Sequence, residues 1–321
     1  MNKSGKIFVA GHGGLVGSAI FRRLQSAGFD NLVTRLHSDL DLSNQKAVTE
    51  FFGRERPQSV VLAAARVGGI LANSIYSAEF IRENLLIQTN VIHEAYSHGV
   101  EHLLFLGSSC IYPRDCPQPI REEYFMTGPL EKTNSAYAVA KIAGVEMCHA
   151  YNRQYGTRYL CAMPTNLYGR GDNFDPNTSH VLPAMIRKFH QAKIDKGPVV
   201  LWGTGAPRRE FLHVDDLADA CVHLVSMPED RLGWLFQDDS PPLVNIGCGQ
   251  DLSIEELARL VGDIVGYHGH VQWDSSKPDG TPRKLLDIAK MRRLGWEPRI
   301  PLPDGIREVY EWFQEAEAIK Q

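Results

Sequence analysis

No apolar run in these 321 residues approaches the length of a membrane span, no CxxC pair occurs among the six cysteines, and neither sign of charge dominates. At the start a polar Met1–Lys6 leads into only a brief apolar run, Ile7–Ala10, too short for a signal peptide or transmembrane helix. A cytoplasmic protein without membrane contact is expected. Cys110, Cys116, Cys148, Cys161, Cys221 and Cys248 have no metal-ligand spacing, and a chain of this size buries a core without staples. Reduced thiols and no metal centre are therefore expected. With 34 Lys+Arg against 38 Asp+Glu the net charge is −4, which removes the basic field that nucleic acid or an anionic membrane requires and leaves only a local basic pocket. Internal repeats and low-complexity linkers are also missing.

What remains is a chain 43% hydrophobic and 22% charged, suited to one large or two fused globular domains. Short β-branched runs at Ile7–Ala10, Leu32–Arg35, Val60–Ala64, Leu103–Leu106 and Tyr159–Met163 alternate with amphipathic stretches, the pattern of βαβ units around a parallel sheet. Between the first two, Val16, Ile20 and Leu24 share one helical face and Ala27-Gly28 ends it. Further helices are expected at Gln45–Phe52, Glu79–Ser97 and Ser135–Tyr155. Past residue 166, loops at Gly169–Ser179, Gly203–Arg208 and Asp274–Arg283 read as recognition segments, the first equally as an interdomain connection. A helical run Leu182–Lys193 and a capping box at Ser253–Glu256 follow. The fold class is α/β: a Rossmann-type doubly wound parallel sheet over residues 1–167, with returning segments from about 211–248, and a smaller C-terminal domain over 168–321.

Gly11-His12-Gly13-Gly14-Leu15-Val16-Gly17 follows a strand and opens a helix, the context in which G-x-x-G-x-x-G binds a dinucleotide. The glycines make the tight turn and let N–H groups reach a pyrophosphate at the helix N-terminus, where the dipole favours an anion. The second strand ends Thr34-Arg35-Leu36-His37, carrying a cation where an acidic residue would hold a ribose 2′-hydroxyl. NADP is expected, although Arg35 also reads as an ordinary surface charge. Asp41-Leu42 places a carboxylate near an adenine amino group or, alternatively, caps the next helix.

Tyr137 and Lys141, four residues apart, share one side of the long helix. A nearby ammonium stabilises phenolate, so Tyr137 is expected to exchange a proton near neutral pH despite an unperturbed pKa of about 10. Gly107-Ser108-Ser109-Cys110 follows the fourth strand, at the carboxyl end of a parallel sheet where ligands bind, and Ser108 can donate to a carbonyl oxygen. In this order the glycine turn, Ser108 and Tyr137-x-x-x-Lys141 resemble the extended short-chain dehydrogenase/reductase superfamily over most of the chain. Within it, the segments Ser108–Pro113, Met163–Gly169, Ser179–Val181, Arg209–Asp216 and Lys277–Lys284 are similar to the GDP-L-fucose synthase family.

That resemblance implies a bifunctional enzyme that epimerises GDP-4-keto-6-deoxy-D-mannose at C3 and C5 and reduces C4 with NADPH, residues 1–167 binding NADP and 168–321 mainly the GDP-sugar. It assigns Ser108, Cys110, Tyr137, Lys141 and His180 to catalysis. To the cofactor it adds Leu106, Gly107, Ser108, Ser109, Lys141, Pro164, Thr165, Asn166, Leu167 and His180, beside residues 11–17, Arg35, His37, Asp41 and Leu42. To the substrate it gives Lys188, Trp202, Arg209 and Asp279. Protons on C3 and C5 flank the ketone, so removing either leaves an enolate that Ser108 and Tyr137 stabilise. Inversion needs a base on one face and an acid on the other, and the resemblance finds them in Cys110 and His180, both expected to titrate near neutrality. Trp202 would stack on guanine, and cations at 188 and 209 would neutralise the diphosphate. As plain structure, Cys110 reads as a buried thiol, His180 as a loop histidine and Lys188 as a solvated helix charge. The family admits arginine at the positions of Gly13 and His37, so Arg35, with His37, must carry the 2′-phosphate contact.

A homodimer through helices near 80–97 and 135–153 is a further expectation. Three rivals stand beside this reading. A nucleotide-sugar 4-epimerase holding NAD keeps Ser and Tyr-x-x-x-Lys. A 4,6-dehydratase needs an acid/base pair where Ser109-Cys110 stands, and is disfavoured. A noncatalytic NADP-sensing Rossmann protein has no use for Ser108, Tyr137 and Lys141.

Overall fold

The computed structural model of the chain describes residues 3–175, 178–237, 240–277 and 279–320, so Met1, Asn2, Pro176, Asn177 and Pro278 of the segments read above lie outside the described residues. The first half runs β1 (Ile7–Ala10), α1 (Leu15–Ser26), β2 (Leu32–Val33), α2 (Gln45–Glu55), β3 (Ser59–Leu62), α3 (Ile70–Ile75), α4 (Ser77–Ser97), β4 (His102–Leu106), α5 (Ser135–Tyr155) and β5 (Arg158–Pro164). The chain continues through β6 (Asn166–Tyr168), α6 (Val181–Asp195), β7 (Val199–Trp202), β8 (Arg208–Arg209), β9 (Phe211–His213), α7 (Val214–Ser226) and α8 (Glu229–Leu232). It ends with β10 (Leu243–Ile246), β11 (Leu252–Ser253), α9 (Ile254–Val265), β12 (Val271–Asp274), β13 (Arg283–Lys284), α10 (Ala289–Arg293) and α11 (Leu302–Lys320).

Six parallel strands in the order β10-β5-β4-β3-β1-β2 make the central sheet. Chain progression reverses between β1 and β3, the switch point at whose carboxyl side open α/β sheets take their ligands. Side chains alternate between two cores. Phe8, Val60, Leu62, Leu103 and Phe105 pack with residues of α2, α4 and α5, whereas Ile7, Val9, Val61, Leu104 and Leu106 pack with residues of α1 and α7. Covered on both faces, these strands read as continuous apolar runs. A third core joins α6, α9 and α11 with β7.

Several boundaries move for identifiable reasons. β2 stops at Val33 instead of Arg35, and the Arg35 side chain turns to Thr34 O and to Glu55, the last residue of α2. That helix is capped by Asn44, whose side-chain oxygen accepts from Ala47 N–H; Asp41 instead closes a turn with Ser43 and does not cap it. The edge strand β10 is a sixth strand beside the five expected. Among the described residues no helix is long and apolar enough to cross a membrane, and all six cysteines are free.

Candidate active site

The turn after β1 is built for close approach. Gly11 has φ +88°, a Cβ on it would lie 2.6 Å from Ala64 N, two residues past β3, and a Cβ on Gly17 would collide with Gly11 O. Gly14 N–H donates to Gly11 O at 3.1 Å, which leaves the turn wound tightly under the start of α1 at Leu15 and Val16. Gly13 meets nothing within 4 Å, so a side chain fits there. His12 Nδ1 is buried and unpartnered among the described residues. This cradle, whose turn also carries an unmet polar atom, fits a dinucleotide pyrophosphate. Arg35 is less free than its sequence position implies: Nη2 pairs with Glu55 Oε1 at 2.6 Å, and the guanidinium lies 5.5 Å from the Phe51 ring. His37 is exposed and Leu42 buried, while hydrogen bonds from the Ser43 hydroxyl and N–H hold the Asp41 carboxyl below its ordinary value.

Across the crevice, β4 ends at Leu106 and Gly107 N–H donates to Ala162 O at 2.9 Å; a Cβ on Gly107 would strike Met163. Ser108 caps the short helical turn Ser109–Ile111, its Oγ accepting from Cys110 N–H at 3.3 Å, so the hydroxyl hydrogen remains available to a ligand. Lys141 Nζ donates to Leu106 O at 2.7 Å and lies 5.8 Å from the Tyr137 ring, and burial lowers its pKa to about 8. Tyr137 departs from expectation. Burial, reinforced by Cys110, pushes the phenol well above its ordinary value, and Lys141, whose Nζ is turned to Leu106 O, does not offset it. Tyr137 is thus a protonated donor at neutral pH.

Cys110 and His180 do not titrate together as expected. Burial raises the Cys110 thiol, with Lys284, Ser108 and Lys141 opposing it. His180 sits at the N-terminal cap of α6, solvent-accessible yet walled by protein, and this desolvation lowers its pKa. At neutral pH the thiol keeps its proton and the imidazole is neutral.

Pro164 ends β5, Thr165 N–H donates to Ile246 O at 3.0 Å, Asn166 Nδ2 donates to Glu210 O at 2.8 Å, and Leu167 packs on the second core. Beyond them lies a cationic wall. Lys188 donates to Val200 O at 2.9 Å and stands 5.6 Å from the Trp202 ring, so it is an anchored group and not a solvated helix charge. Trp202 itself is 48% exposed. Arg209 is half-buried, its Nη1 held by Arg208 O at 2.9 Å, while the Asp279 carboxylate takes Thr204 N–H at 2.8 Å and Thr204 Oγ1 at 2.9 Å. Two lysines missed in the sequence reading join this wall. Lys277 also stands 5.6 Å from the Trp202 ring, and Lys284, register partner of Arg209, faces Cys110, Cys116 and Glu131. Both lie in the Lys277–Lys284 segment, so membership of that motif was the available signal.

A glycine cradle at the switch point, facing a serine, a tyrosine and a buried lysine across the sheet, defines an oxidoreductase site of the short-chain dehydrogenase class. The chain belongs to the NAD dependent epimerase/dehydratase family, whose model matches residues 7–247, and within it to the GDP-L-fucose synthases. It is 58% identical over 313 residues to GDP-L-fucose synthase 1 of Arabidopsis thaliana, covering 97% of this chain and 94% of that one. To the GDP-L-fucose synthase of Escherichia coli (strain K12) it is 50% identical over 313 residues, covering 97% of both. Its fold is similar to the solved GDP-L-fucose synthetase of Naegleria fowleri bound to NADP, with a TM-score of 0.85 and 27% identity, covering 99% of this chain and 96% of that one.

Proposed function

We propose that this protein converts GDP-4-keto-6-deoxy-D-mannose to GDP-L-fucose, inverting C3 and C5 and reducing C4 with NADPH. The observation that carries this reading is the thiol of Cys110 set beside the Ser108 and Tyr137 hydroxyls and faced by two lysines, Lys141 and Lys284. A plain 4-ketoreductase or 4-epimerase needs the hydroxyls and gains nothing from the thiol. The names of the relatives point the same way.

Residues 11–17 would hold the cofactor diphosphate, Arg35 and His37 the 2′-phosphate, and Lys141 the nicotinamide ribose; NADPH, when bound, supplies the hydride for C4. Lys188, Arg209 and Lys284 would bind the substrate diphosphate, with Trp202 under the base. Ser108 and Tyr137 donate to the C4 oxygen, first to the enolate left by proton removal and then to the alkoxide, which takes the Tyr137 proton. Cys110 removes the C3 and C5 protons as thiolate, the form that Lys284 and Lys141 favour. His180 returns a proton to the opposite face. Its lowered pKa makes the imidazolium a strong donor once charged, and its exposure lets solvent recharge it. In this reading residues 1–167, with the return at 211–248, serve the cofactor and 168–321 mainly the GDP-sugar. The active form is a cytoplasmic homodimer joined through α4 and α5, where Val139 and Tyr155 are 44% and 45% exposed and Tyr155 stacks on Tyr96.

The test is NADPH oxidation with GDP-4-keto-6-deoxy-D-mannose followed by product stereochemistry. GDP-L-fucose supports the reading. Turnover without net NADPH consumption selects the 4-epimerase, and no oxidation with any nucleotide sugar selects the NADP-sensing protein.

A further inference from the structure

Glu210 is 0% exposed, and the hydrogen bonds around it come from backbone and hydroxyl groups, not from a cation. Its Oε1 accepts Gly249 N–H at 2.6 Å and its Oε2 accepts Leu286 N–H at 3.1 Å. The Glu210 backbone carbonyl accepts Asn166 Nδ2 at 2.8 Å and Thr165 Oγ1 at 3.3 Å. Gly247 passes so close that a Cβ there would collide with the carboxylate. Burying a carboxylate without a cation is costly, and an apolar side chain of similar volume would avoid the cost. The group therefore does something shape alone cannot.

What it does follows from the three segments it joins to its own strand. Thr165 and Asn166 line the cofactor side, Gly249 follows β10, and Leu286 lies two residues beyond Lys284. In the β8–β13 ladder Lys284 pairs in register with Arg209, the residue before Glu210. The carboxylate thus ties the strand carrying Lys284 to the strand carrying Arg209, and the main chain of the same residue ties both to the cofactor wall.

We propose that Glu210 is a positioning residue that sets the Arg209–Lys284 cations against the Cys110 thiol and the substrate diphosphate, leaving the dinucleotide site to stand without it. The asymmetry arises because Asn166 Nδ2 and the Thr165 hydroxyl, which also reaches the carboxylate, bond the backbone carbonyl that any residue at 210 keeps. The diphosphate half of the inference rests on the proposed function; the thiol half does not.

Glu210→Gln is the probe. It keeps the shape but sets an NH2 group where an oxygen accepted, against the N–H groups of Gly249, Leu286 and Cys248 and the Thr165 hydroxyl, so at least one bond must break. The longer Leu286 bond is the one released, and Lys284 moves with it. The first readout is the pH dependence of Cys110 alkylation by iodoacetamide, followed on its peptide by mass spectrometry. The variant should alkylate about tenfold more slowly at a pH below the thiol pKa, one unit of upward shift, with no further slowing in Glu210→Gln/Lys284→Met over Lys284→Met alone. The second is affinity by calorimetry: Kd for GDP should rise about tenfold, with KM for the keto sugar following, kcat within about threefold and NADPH Kd unchanged. Glu210→Asp, which keeps the charge and withdraws both oxygens, should act in the same direction should the glutamine variant not fold. An unshifted alkylation profile, additive effects in the double variant, or equal losses for GDP and NADPH would overturn the inference. Wild-type protein that fails to bind GDP would remove the proposed function, and the alkylation profile would still decide the role of Glu210.

Discussion

At the level of single residues, identity was easier to read than protonation. Ser108, Tyr137 and Lys141 stand out by spacing as candidates, but spacing does not say that the Lys141 ammonium is held by Leu106 O, nor that burial raises the phenol. Tyr137 is consequently a donor in waiting. Tyr137→Phe should lower NADPH oxidation by about 100-fold or more while NADPH affinity holds, since only proton delivery is removed. Cys110→Ser should do the reverse: deuterium incorporation at C3 and C5 from heavy water, measured without NADPH, is suppressed, while reduction of the ketone persists and yields a GDP-6-deoxyhexose of altered stereochemistry. Normal exchange at both carbons in Cys110→Ser would return Cys110 to a small buried thiol. Arg35 teaches the same lesson, because its partner Glu55 lies twenty residues away in sequence. Glu55→Gln should loosen that claim and raise the ratio of kcat/KM for NADPH over NADH several-fold, whereas Arg35→Ala should narrow it; a ratio unmoved by either would take the pair out of cofactor selection.

At the level of elements, periodicity carried most of the argument. β1 and α5 begin and end where the apolar run Ile7–Ala10 and the amphipathic stretch Ser135–Tyr155 place them, and Ser253 and Glu256 form the reciprocal cap read from their sequence. The misses share one cause, dependence on groups distant in the chain. β2 shortens where a side chain finds Glu55, β10 is a strand only because β5 offers it an edge, and Glu210 reads as one more charge in an Arg-Glu-Phe run until its burial is seen. The glycine turn is the element with least tolerance. A methyl on Gly17 would meet Gly11 O, so Gly17→Ala must push α1 off β1 or unwind the turn, and NADPH affinity should fall by at least about tenfold with little change in secondary structure by circular dichroism. Gly13→Ala, with open space around its Cβ, should bind NADPH as wild type does.

Across the whole molecule, one pocket is asked to run two chemistries whose protonation requirements differ, and pH should separate them. In the proposed reaction reduction depends on charged Lys141, whose pKa is lowered to about 8, so the ammonium is present below that value and lost as pH rises through it. The proposed epimerisation depends on a thiolate and an imidazolium at once, drawn from a thiol raised by burial and an imidazole lowered by it. Between two such values the population of thiolate rises tenfold per unit while that of imidazolium falls tenfold, and their product stays level. Deuterium exchange without NADPH should therefore be flat from about pH 7 to 8 and sag beyond it only by the Lys141 share of thiolate stabilisation, which is smaller than that of Lys284, while NADPH oxidation declines more steeply past about 8, so the epimerised ketone accumulates unreduced on the alkaline side. Lys284→Met, which removes a cation facing Cys110, should lower the exchange plateau and leave the alkaline limb of reduction in place. Exchange that climbs tenfold per pH unit across that range would mean the thiolate works without His180, and exchange that falls as steeply as reduction would mean both chemistries hang on Lys141.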